Sequence, residues 1–173
     1  MNFLPKNYKE PVINNYMKFK EGNNTFRVLS SAITGFEWWV DDKEGNRKPV
    51  RSKTDDEMPE DAKHFWAFVV YNLNDERIQI LEITQVGIRK AITALINNEK
   101  WGDPKEYNIV ITRTGEGFET EYQVTPEPKE KLDKDILDKY GNMNVNLDAL
   151  YEGDDPFKEK DEVDIDEAIK EIG

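Results

Sequence analysis

Hydrophobic and polar side chains alternate along several short segments of the chain, which is the pattern of half-buried β-strands. Six segments share it and form three successive hairpins: 25–33 with 36–40, 64–73 with 77–83, and 107–114 with 118–125. The residues between the paired segments favour turns, namely Thr34-Gly35, Asn74-Asp75 and Gly115-Glu116-Gly117. The pattern therefore predicts a chain built mainly from antiparallel strands.

The middle hairpin has a predictable distribution of side chains over its two faces. A loop of two or four residues places one set together, Phe65, Ala67, Val69 and Tyr71 with Ile78 and Ile80. It places the other set opposite, Trp66, Phe68 and Val70 with Arg77 and Gln79. A three-residue loop would shift this pairing. One face should present large aromatic side chains outside the main core.

One segment after the middle hairpin has its apolar residues at the spacing of an α-helix. Thr84 is a suitable N-cap, and apolar residues then recur at Ile88, Ile92, Leu95 and Ile96 until Asn97-Asn98. Residues 129–140 could form a second short helix. Residues 41–63 contain Gly45, Pro49 and Pro59 and few apolar side chains, so they are expected to form a long loop.

This order of elements predicts an all-β fold with one or two added helices. The oligonucleotide-binding (OB) fold, a five-stranded Greek-key barrel, matches it when the helix lies between the third and fourth strands. A generic α+β sheet is the alternative. We expect a flexible N-terminal arm at 1–23, the barrel at 24–128, a helical extension at 129–151 and an acidic tail at 152–173.

Charge is distributed unevenly along the 173 residues, whose net charge is −12. Residues 1–53 carry a net charge of +4, whereas residues 126–173 carry −9. Such asymmetry suggests a nucleic-acid binder with an acidic interaction tail. The chain has no cysteine, which excludes disulfides and thiolate metal sites. It shows no signal peptide, and a cytoplasmic protein with no membrane partner is expected.

Aromatic and basic residues cluster in the same part of the sequence. Aromatic rings stack on bases and cations contact the phosphate backbone, so this combination predicts binding of single-stranded nucleic acid. The candidate stacking residues are Phe36, Trp38, Trp39, Trp66 and Phe68. The candidate backbone contacts are Arg27, Lys48, Arg51, Lys53, Lys63 and Arg77.

Catalytic residues are not evident. His64 is the only histidine, and neither Asp55-Asp56-Glu57 nor Asp154-Asp155 has the pattern of a calcium loop. Asp75 and Glu82 faintly suggest a nuclease, but Thr84 stands where that motif requires lysine. We therefore expect a non-enzymatic protein without a metal or cofactor.

Six stretches, in order, resemble a family of tailed-bacteriophage single-stranded DNA-binding proteins: 16–29 (YMKFKEGNNTFRVL), 35–39 (GFEWW), 48–53 (KPVRSK), 66–70 (WAFVV), 81–85 (LEITQ), and 102–104 (GDP) followed by 115–126 (GEGFETEYQVTP). The resemblance covers roughly residues 14–128. It implies an OB fold that coats single-stranded DNA in replication, recombination and repair, and an acidic C-terminal tail that recruits partner proteins. It also implies that residues 48–53 follow the DNA backbone.

The acidic tail contains apolar residues at a spacing that a partner groove could order as a short helix, Ile165, Ile169 and Ile172. An inert solubilising tail is the alternative. For the whole chain, two other functions remain open at this stage. One is an acidic DNA mimic that inhibits a host DNA-binding protein, and the other is a small metal-dependent nuclease.

Overall fold

The structure is a computed structural model that describes residues 3–8 and 14–157. In this part of the chain the strands are β1 Gly22–Val28, β2 Ile33–Asp41, β3 Arg47–Ser52, β4 Lys63–Asn72, β5 Arg77–Ile83, β6 Asn108–Thr114 and β7 Glu121–Pro126. The α-helices are α1 Val86–Ile96 and α2 Lys134–Met143, and short 3₁₀ helices span Pro104–Glu106, Gly117–Glu119 and Leu147–Glu152. The strands pair antiparallel. The predicted fold class, an all-β OB-like fold with few helices, is confirmed.

Strand β4 is the centre of the sheet. It pairs with β5 along one edge and with both β1 and β2 along the other, while β1 continues to β6 and β7. β1 and β2 therefore act as one long barrel strand that is interrupted at residues 29–32. This interruption and the additional strand β3 account for seven strands where the barrel itself has five, and β3 is the one strand beyond the six predicted segments.

The first predicted hairpin is wrong, because β1 and β2 pair with β4 and not with each other. Gly35 lies inside β2, opposite Phe65, and not in a turn. A Cβ atom at position 35 would collide with the backbone carbonyl oxygen of Ser52 in the neighbouring strand β3. Glycine is needed here because two backbones approach closely, a use that the sequence pattern does not distinguish from a turn.

The predicted loop at 41–63 also differs from the structure, because its middle third is β3, paired with β2. The intervening turn is closed by Asp42, whose carboxylate accepts hydrogen bonds from the backbone N–H groups of Glu44 and Asn46, both at 2.9 Å. β3 is an edge strand, and edge strands tolerate proline and charged residues because only one side is hydrogen-bonded. Because β3 contains Pro49 and several basic residues, its sequence pattern was interpreted as a loop.

The register of the middle hairpin is confirmed. Asn72 lies opposite Arg77, so the loop has four residues, and Val69 and Tyr71 face Ile80 and Ile78 as expected. The other face, which we call the inner face, carries Phe68, Val70, Leu81 and Ile83 and packs with Ile88 and Ile92 of α1. The third predicted hairpin is confirmed as β6 and β7. The helix α1 ends at Ile96, with Asn97 as its C-cap, in agreement with the predicted end at Asn97-Asn98, but its N-cap is Gln85 and not Thr84.

The outer face of the same hairpin is covered by the C-terminal part of the described chain. Phe65 lies outside the barrel core, as expected, but it is buried against Leu150 and neighbouring side chains. Val69 and Ile78 pack with residues of α2 and the segment after it. Here α2 begins later than the predicted helix 129–140. The β4–β5 hairpin is thus buried on both faces.

Both predicted terminal segments are partly attached to the sheet. Residues 14–17 lie along the free edge of β5, where Met17 N–H donates to the carbonyl oxygen of Ile80 at 2.9 Å. Within the expected tail, Pro156 is buried, its carbonyl accepts from Asn146 N–H at 2.9 Å, and Phe157 packs beside Leu150. The predicted partner-binding residues Ile165, Ile169 and Ile172 lie outside the described residues. Within residues 3–8 and 14–157, no helix is long and apolar enough to cross a membrane.

Candidate nucleic-acid interface

An open groove of about 690 Å³ crosses the outer face between β3, the N-terminal segment and the 3₁₀ helix Leu147–Glu152. We call it the outer groove. Its lining combines the rings of Tyr16, Trp39 and Tyr151, the cations Lys18, Lys48 and Arg51, and the carboxylates Glu82 and Asp154. Trp39 is 50% exposed, so much of its ring is accessible to a ligand. The groove therefore offers both surfaces for base stacking and positive charge for phosphates.

A second depression of about 390 Å³ continues the outer groove along the edge of β5. The two share Tyr16 and Lys18, and the second adds Lys20 and Arg77 together with Asn14, Asp75 and Gln79. Lys20 is 3.8 Å from the carboxylate of Asp75, but both side chains are largely exposed. Such a surface pair is weak, so the ammonium group remains available to a phosphate. We call this continuous surface, from Lys48 to Arg77, the basic track.

Arg51, a predicted phosphate contact, forms ion pairs with carboxylates of the protein itself. Its guanidinium lies 2.9 Å from Glu82 and 3.5 Å from Glu37, and it stands 5.9 Å from the centre of the Phe65 ring. The Arg51 side chain is only 10% exposed. These contacts place Arg51 beneath the outer groove, where its charge is balanced by carboxylates. Its position favours a structural role over a direct role in DNA binding.

Glu37 lies beside Arg51 and is buried on the outer face. Burial, together with the hydrogen bond and the negative charge of Glu82, raises the pKa of Glu37 to about 8, although Arg51 and Lys63 oppose the shift. Two carboxylates share one guanidinium, so one of them holds a proton at neutral pH. Arg51 is closer to Glu82 than to Glu37, which agrees with Glu37 as the protonated partner.

We predict that the free energy of unfolding falls as pH rises from about 4.5 to about 8. Within this window the folded protein holds a proton on Glu37 that the unfolded chain releases, so rising pH favours unfolding. Urea unfolding at several pH values measures the effect, and Glu37→Gln should flatten the decline. The exposed Glu44→Gln variant is the matched control and should retain it. An equally steep decline in both variants would contradict the assignment.

The other predicted stacking residues lie away from the outer groove. Side chains alternate along each strand, so Phe36, Trp38 and Trp66 lie on the inner-face side of their strands, opposite Trp39. The rings of Phe36 and His64 are 5.2 Å apart. Trp66 and Phe68 line a separate apolar pocket of about 320 Å³ beside α1. The structure therefore does not bring the three strand tryptophans Trp38, Trp39 and Trp66 together.

Two predicted contacts are buried and have little surface to offer DNA. Arg27 is 2% exposed, and it donates hydrogen bonds to the Asn108 side chain and the Lys105 carbonyl oxygen. Its burial lowers the pKa of its guanidinium, which is only partly opposed by nearby carboxylates. Phe68 is buried with its ring 6.3 Å from that of Phe26. We therefore leave Arg27 and Phe68 out of the candidate interface.

The remaining predicted cations are near the outer groove or exposed. The ammonium group of Lys53 lies 5.1 Å from the centre of the Tyr151 ring, a cation–π contact at the groove margin. Lys63 is exposed at the start of β4, opposite Glu37 in the neighbouring strand. Lys48, Lys53 and Arg77 thus remain candidates for contact with a phosphate backbone.

Sequence reasoning missed four residues of the basic track: Tyr16, Lys18, Lys20 and Tyr151. They lie in segments that were predicted to be an arm and a helical extension. The alternation of Tyr16, Lys18 and Lys20 with Met17 and Phe19 was a signal of an extended segment with one polar face. Tyr151 is held at the outer groove by a long-range contact, since its hydroxyl donates to the carbonyl oxygen of Thr34, 117 residues away. The sequence around Tyr151 therefore gives no sign of its position.

The described part of the chain contains many acidic side chains. Among those residues, no group of three or more His, Asp or Glu side chains is arranged to hold a metal ion. The two carboxylates that suggested a nuclease line different depressions, Asp75 near Lys20 and Glu82 against Arg51. Glu82 is mostly buried in an ion pair with Arg51, whereas Asp75 forms only a weak, exposed pair with Lys20.

Comparison with known proteins adds one similarity. No protein-family model and no solved structure matches the chain. The chain is 25% identical over 139 residues to a "Probable ssDNA-binding protein" of Escherichia phage T5, in an alignment that covers 63% of this chain and 53% of the relative. It thus spans about half the length of that relative. The chain described here is therefore similar to a curated phage protein whose name indicates binding of single-stranded DNA.

Proposed function

We propose that this chain binds single-stranded DNA without sequence preference through the basic track and coats it during bacteriophage replication, recombination and repair. The observation that carries the proposal is the exposed ring of Trp39 in a groove whose lining also includes Tyr16, Lys18, Lys48 and Tyr151. The similarity to the phage T5 protein supports the same function.

The physical basis is the combination of stacking and electrostatic attraction. Every base offers a π-face, so stacking on a ring tolerates any sequence and contributes about 1 to 3 kcal/mol per base. Phosphates next to the stacked bases can then contact the lysines along the same groove. The net charge of −12 does not oppose this binding, because local charge within about a Debye length, roughly 8 to 10 Å, dominates.

Titration of tryptophan fluorescence with oligo-dT at two salt concentrations tests the proposal. We expect quenching, because Trp39 is exposed in the groove, and an affinity that falls by about 0.7 decades per decade of salt for each neutralised phosphate. Duplex DNA of equal length is the control and should bind far more weakly, because its bases remain stacked. Absence of binding at low salt would refute the proposal, and binding to a host DNA-binding protein instead would favour the DNA mimic.

We also propose that residues 158–173 compete with DNA for the basic track and recruit partner proteins through Ile165, Ile169 and Ile172. This segment carries seven carboxylates and three lysines. A tethered polyanion has a high effective concentration and can occupy a basic groove at low ionic strength. The expected tail was 152–173, and the proposal is restricted to residues 158–173 because Pro156 and Phe157 are in contact with the folded chain.

Deletion of residues 158–173 should tighten the binding of oligo-dT at low salt, and the gain should shrink as salt screens the charges. The urea midpoint should not change, because the packed residues up to Phe157 are retained. A full-length variant with the seven carboxylates replaced by amides is the matched control and should bind DNA like the truncated chain. The proposal fails if the deletion changes neither the affinity for oligo-dT at low salt nor the set of partner proteins recovered in a pull-down.

A further inference from the structure

Two carboxylates and one guanidinium lie together at the floor of the outer groove. The Arg51 guanidinium donates a hydrogen bond from Nε to Oε2 of Glu82 at 3.0 Å, and its Nη2 is 2.9 Å from the same oxygen. The same Nε lies 3.5 Å from Oε2 of Glu37. We call Glu37 and Glu82 the acid pair. In the described part of the chain, Arg51 is the only cation that forms an ion pair with either carboxylate.

The surroundings of Glu37 favour a proton on the acid pair. Oε2 of Glu37 is buried, and no donor among the described residues forms a hydrogen bond with it. An ionised oxygen in this position would lose its hydration without a replacement, which is costly. A protonated carboxyl removes this cost, because it can donate to the neighbouring carboxylate. The geometry is therefore that of two acids that share one proton and one cation.

Charged and titratable groups face the acid pair from every element around the outer groove. They are Arg51 from β3, Lys63 from β4, Tyr16 and Lys18 from the N-terminal segment, Lys48 from β3, and Tyr151, Asp154 and Asp155 from the C-terminal segment. Burial raises the pKa of both Tyr16 and Tyr151, so their hydroxyls stay neutral near pH 8. The ring of His64 lies on the opposite side of β4, next to Phe36.

The proton on the acid pair decides the net charge of the outer groove. The lining contains the cations Lys18, Lys48 and Arg51 and the carboxylates Glu82 and Asp154. The third carboxylate nearby is Glu37, next to Arg51. While the acid pair holds its proton, the positive charges exceed the negative charges by one. When the proton leaves, the two signs balance, and the groove no longer attracts a phosphate by its net charge.

We propose that single-stranded DNA in the outer groove and a proton on the acid pair stabilise each other, so that DNA is held more tightly while the pair is protonated. This inference deepens the proposed function and rests on it. Linkage requires the effect to be reciprocal, so bound phosphates draw a proton from solution onto the acid pair. The affinity for DNA therefore falls as pH rises through about 8, the pKa of Glu37.

The size of the effect follows from the charge that the acid pair gains or loses. One unit charge at roughly 10 Å from a phosphate changes the affinity by about two- to fifteenfold, for effective dielectric constants of about 80 and 20. Salt screens this interaction, so the change with pH should be largest at low ionic strength. We expect the affinity for oligo-dT at about pH 6.5 to exceed that at about pH 9 by this factor.

Anisotropy titrations with labelled oligo-dT at constant ionic strength measure the affinity over this pH range. Glu37→Gln and Glu82→Gln each leave one carboxylate beside Arg51, so no proton is shared, and both variants should lose the decline with pH. Asp154→Asn is the matched control, because it also removes a carboxylate from the groove. It should raise the affinity at every pH and retain the decline. The exposed Glu44→Gln variant should behave like the wild type.

Calorimetry in two buffers of different ionisation enthalpy measures the proton directly. If DNA raises the pKa of the acid pair by one unit, the wild type takes up roughly half a proton per bound chain at about pH 8.5. Glu37→Gln and Glu82→Gln should take up none from the acid pair. Asp154→Asn should take up as much as the wild type, since its acid pair is intact.

The outcomes separate this inference from the proposed function. If the wild type binds oligo-dT with the same affinity throughout this pH range and takes up no proton, the linkage is wrong and the proposed function stands. If the decline with pH persists unchanged in both Glu37→Gln and Glu82→Gln, another group takes up the proton and the inference is overturned. If oligo-dT does not bind at any pH, the proposed function fails, and the inference fails with it.

Discussion

Arg51→Ala should lower the free energy of unfolding by roughly 3 kcal/mol, which is the cost of removing one partner from a largely buried ion pair. The guanidinium lies 2.9 Å from the Glu82 carboxylate, which would lose its nearest positive charge. The change also removes the cation from the Phe65 ring. Urea unfolding at neutral pH measures the loss. This outcome differs from the role that the sequence predicts for Arg51, a simple contact with phosphate.

Two variants make this test specific. Arg47→Ala removes an exposed arginine from the same face of β3 and should leave the urea midpoint almost unchanged. Arg51→Ala combined with Glu82→Gln should recover part of the lost stability, because no unpaired carboxylate then remains at position 82. If Arg51→Ala unfolds like the wild type and only reduces the salt dependence of DNA binding, its guanidinium is a DNA contact after all.

Trp39→Ala should weaken the binding of oligo-dT by about five- to 150-fold, which corresponds to the loss of one stacked base. The ring is half exposed in the outer groove, so its removal should not change the urea midpoint. The salt dependence should also stay the same, because no phosphate contact is lost. Fluorescence anisotropy with labelled oligo-dT measures affinity independently of tryptophan emission.

The comparison with other variants separates stacking from charge. Trp39→Phe should retain most of the affinity, since a ring remains, and Phe3→Ala should have no effect, although it also removes an exposed ring. Lys18→Ala combined with Lys48→Ala should reduce the salt dependence by about 1.4 decades per decade. Unchanged affinity in Trp39→Ala would show that the outer groove is not the binding surface.

Much of the fold follows from local sequence because side-chain alternation reports directly on strands. The register of β4 and β5 was predictable, since the turn at 73–76 and the buried faces of both strands agree on one pairing. The pairing of β1 and β2 was not predictable, because both strands pair with β4, and the paired residues lie between 26 and 46 positions apart in the sequence. Gly35 shows the same difficulty, since its neighbour Ser52 belongs to a strand that sequence reasoning assigned to a loop.

The candidate interface was predictable in its chemistry but less so in its location. Exposed Trp39 and Lys48 were found from the cluster of rings and cations, whereas the role of Arg51 depends on Glu82, a partner from another strand. Tyr16, Lys18 and Tyr151 enter the groove only because both terminal segments fold back onto the sheet. Contacts of such long range leave no periodic signal in the sequence.

The covering of the outer face by the C-terminal segment has a consequence for the order of events during synthesis. Phe65 and Val69 of β4 become buried partly against residues such as Leu147 and Leu150, which emerge about 80 residues later. At a translation rate of about 5 to 20 residues per second, these side chains stay exposed for roughly 4 to 16 s before the segment that covers them is synthesised. The nascent chain therefore exposes an apolar sheet face while it is still attached to the ribosome. Chaperone binding should be strongest in chains arrested between β5 and the 3₁₀ helix Leu147–Glu152.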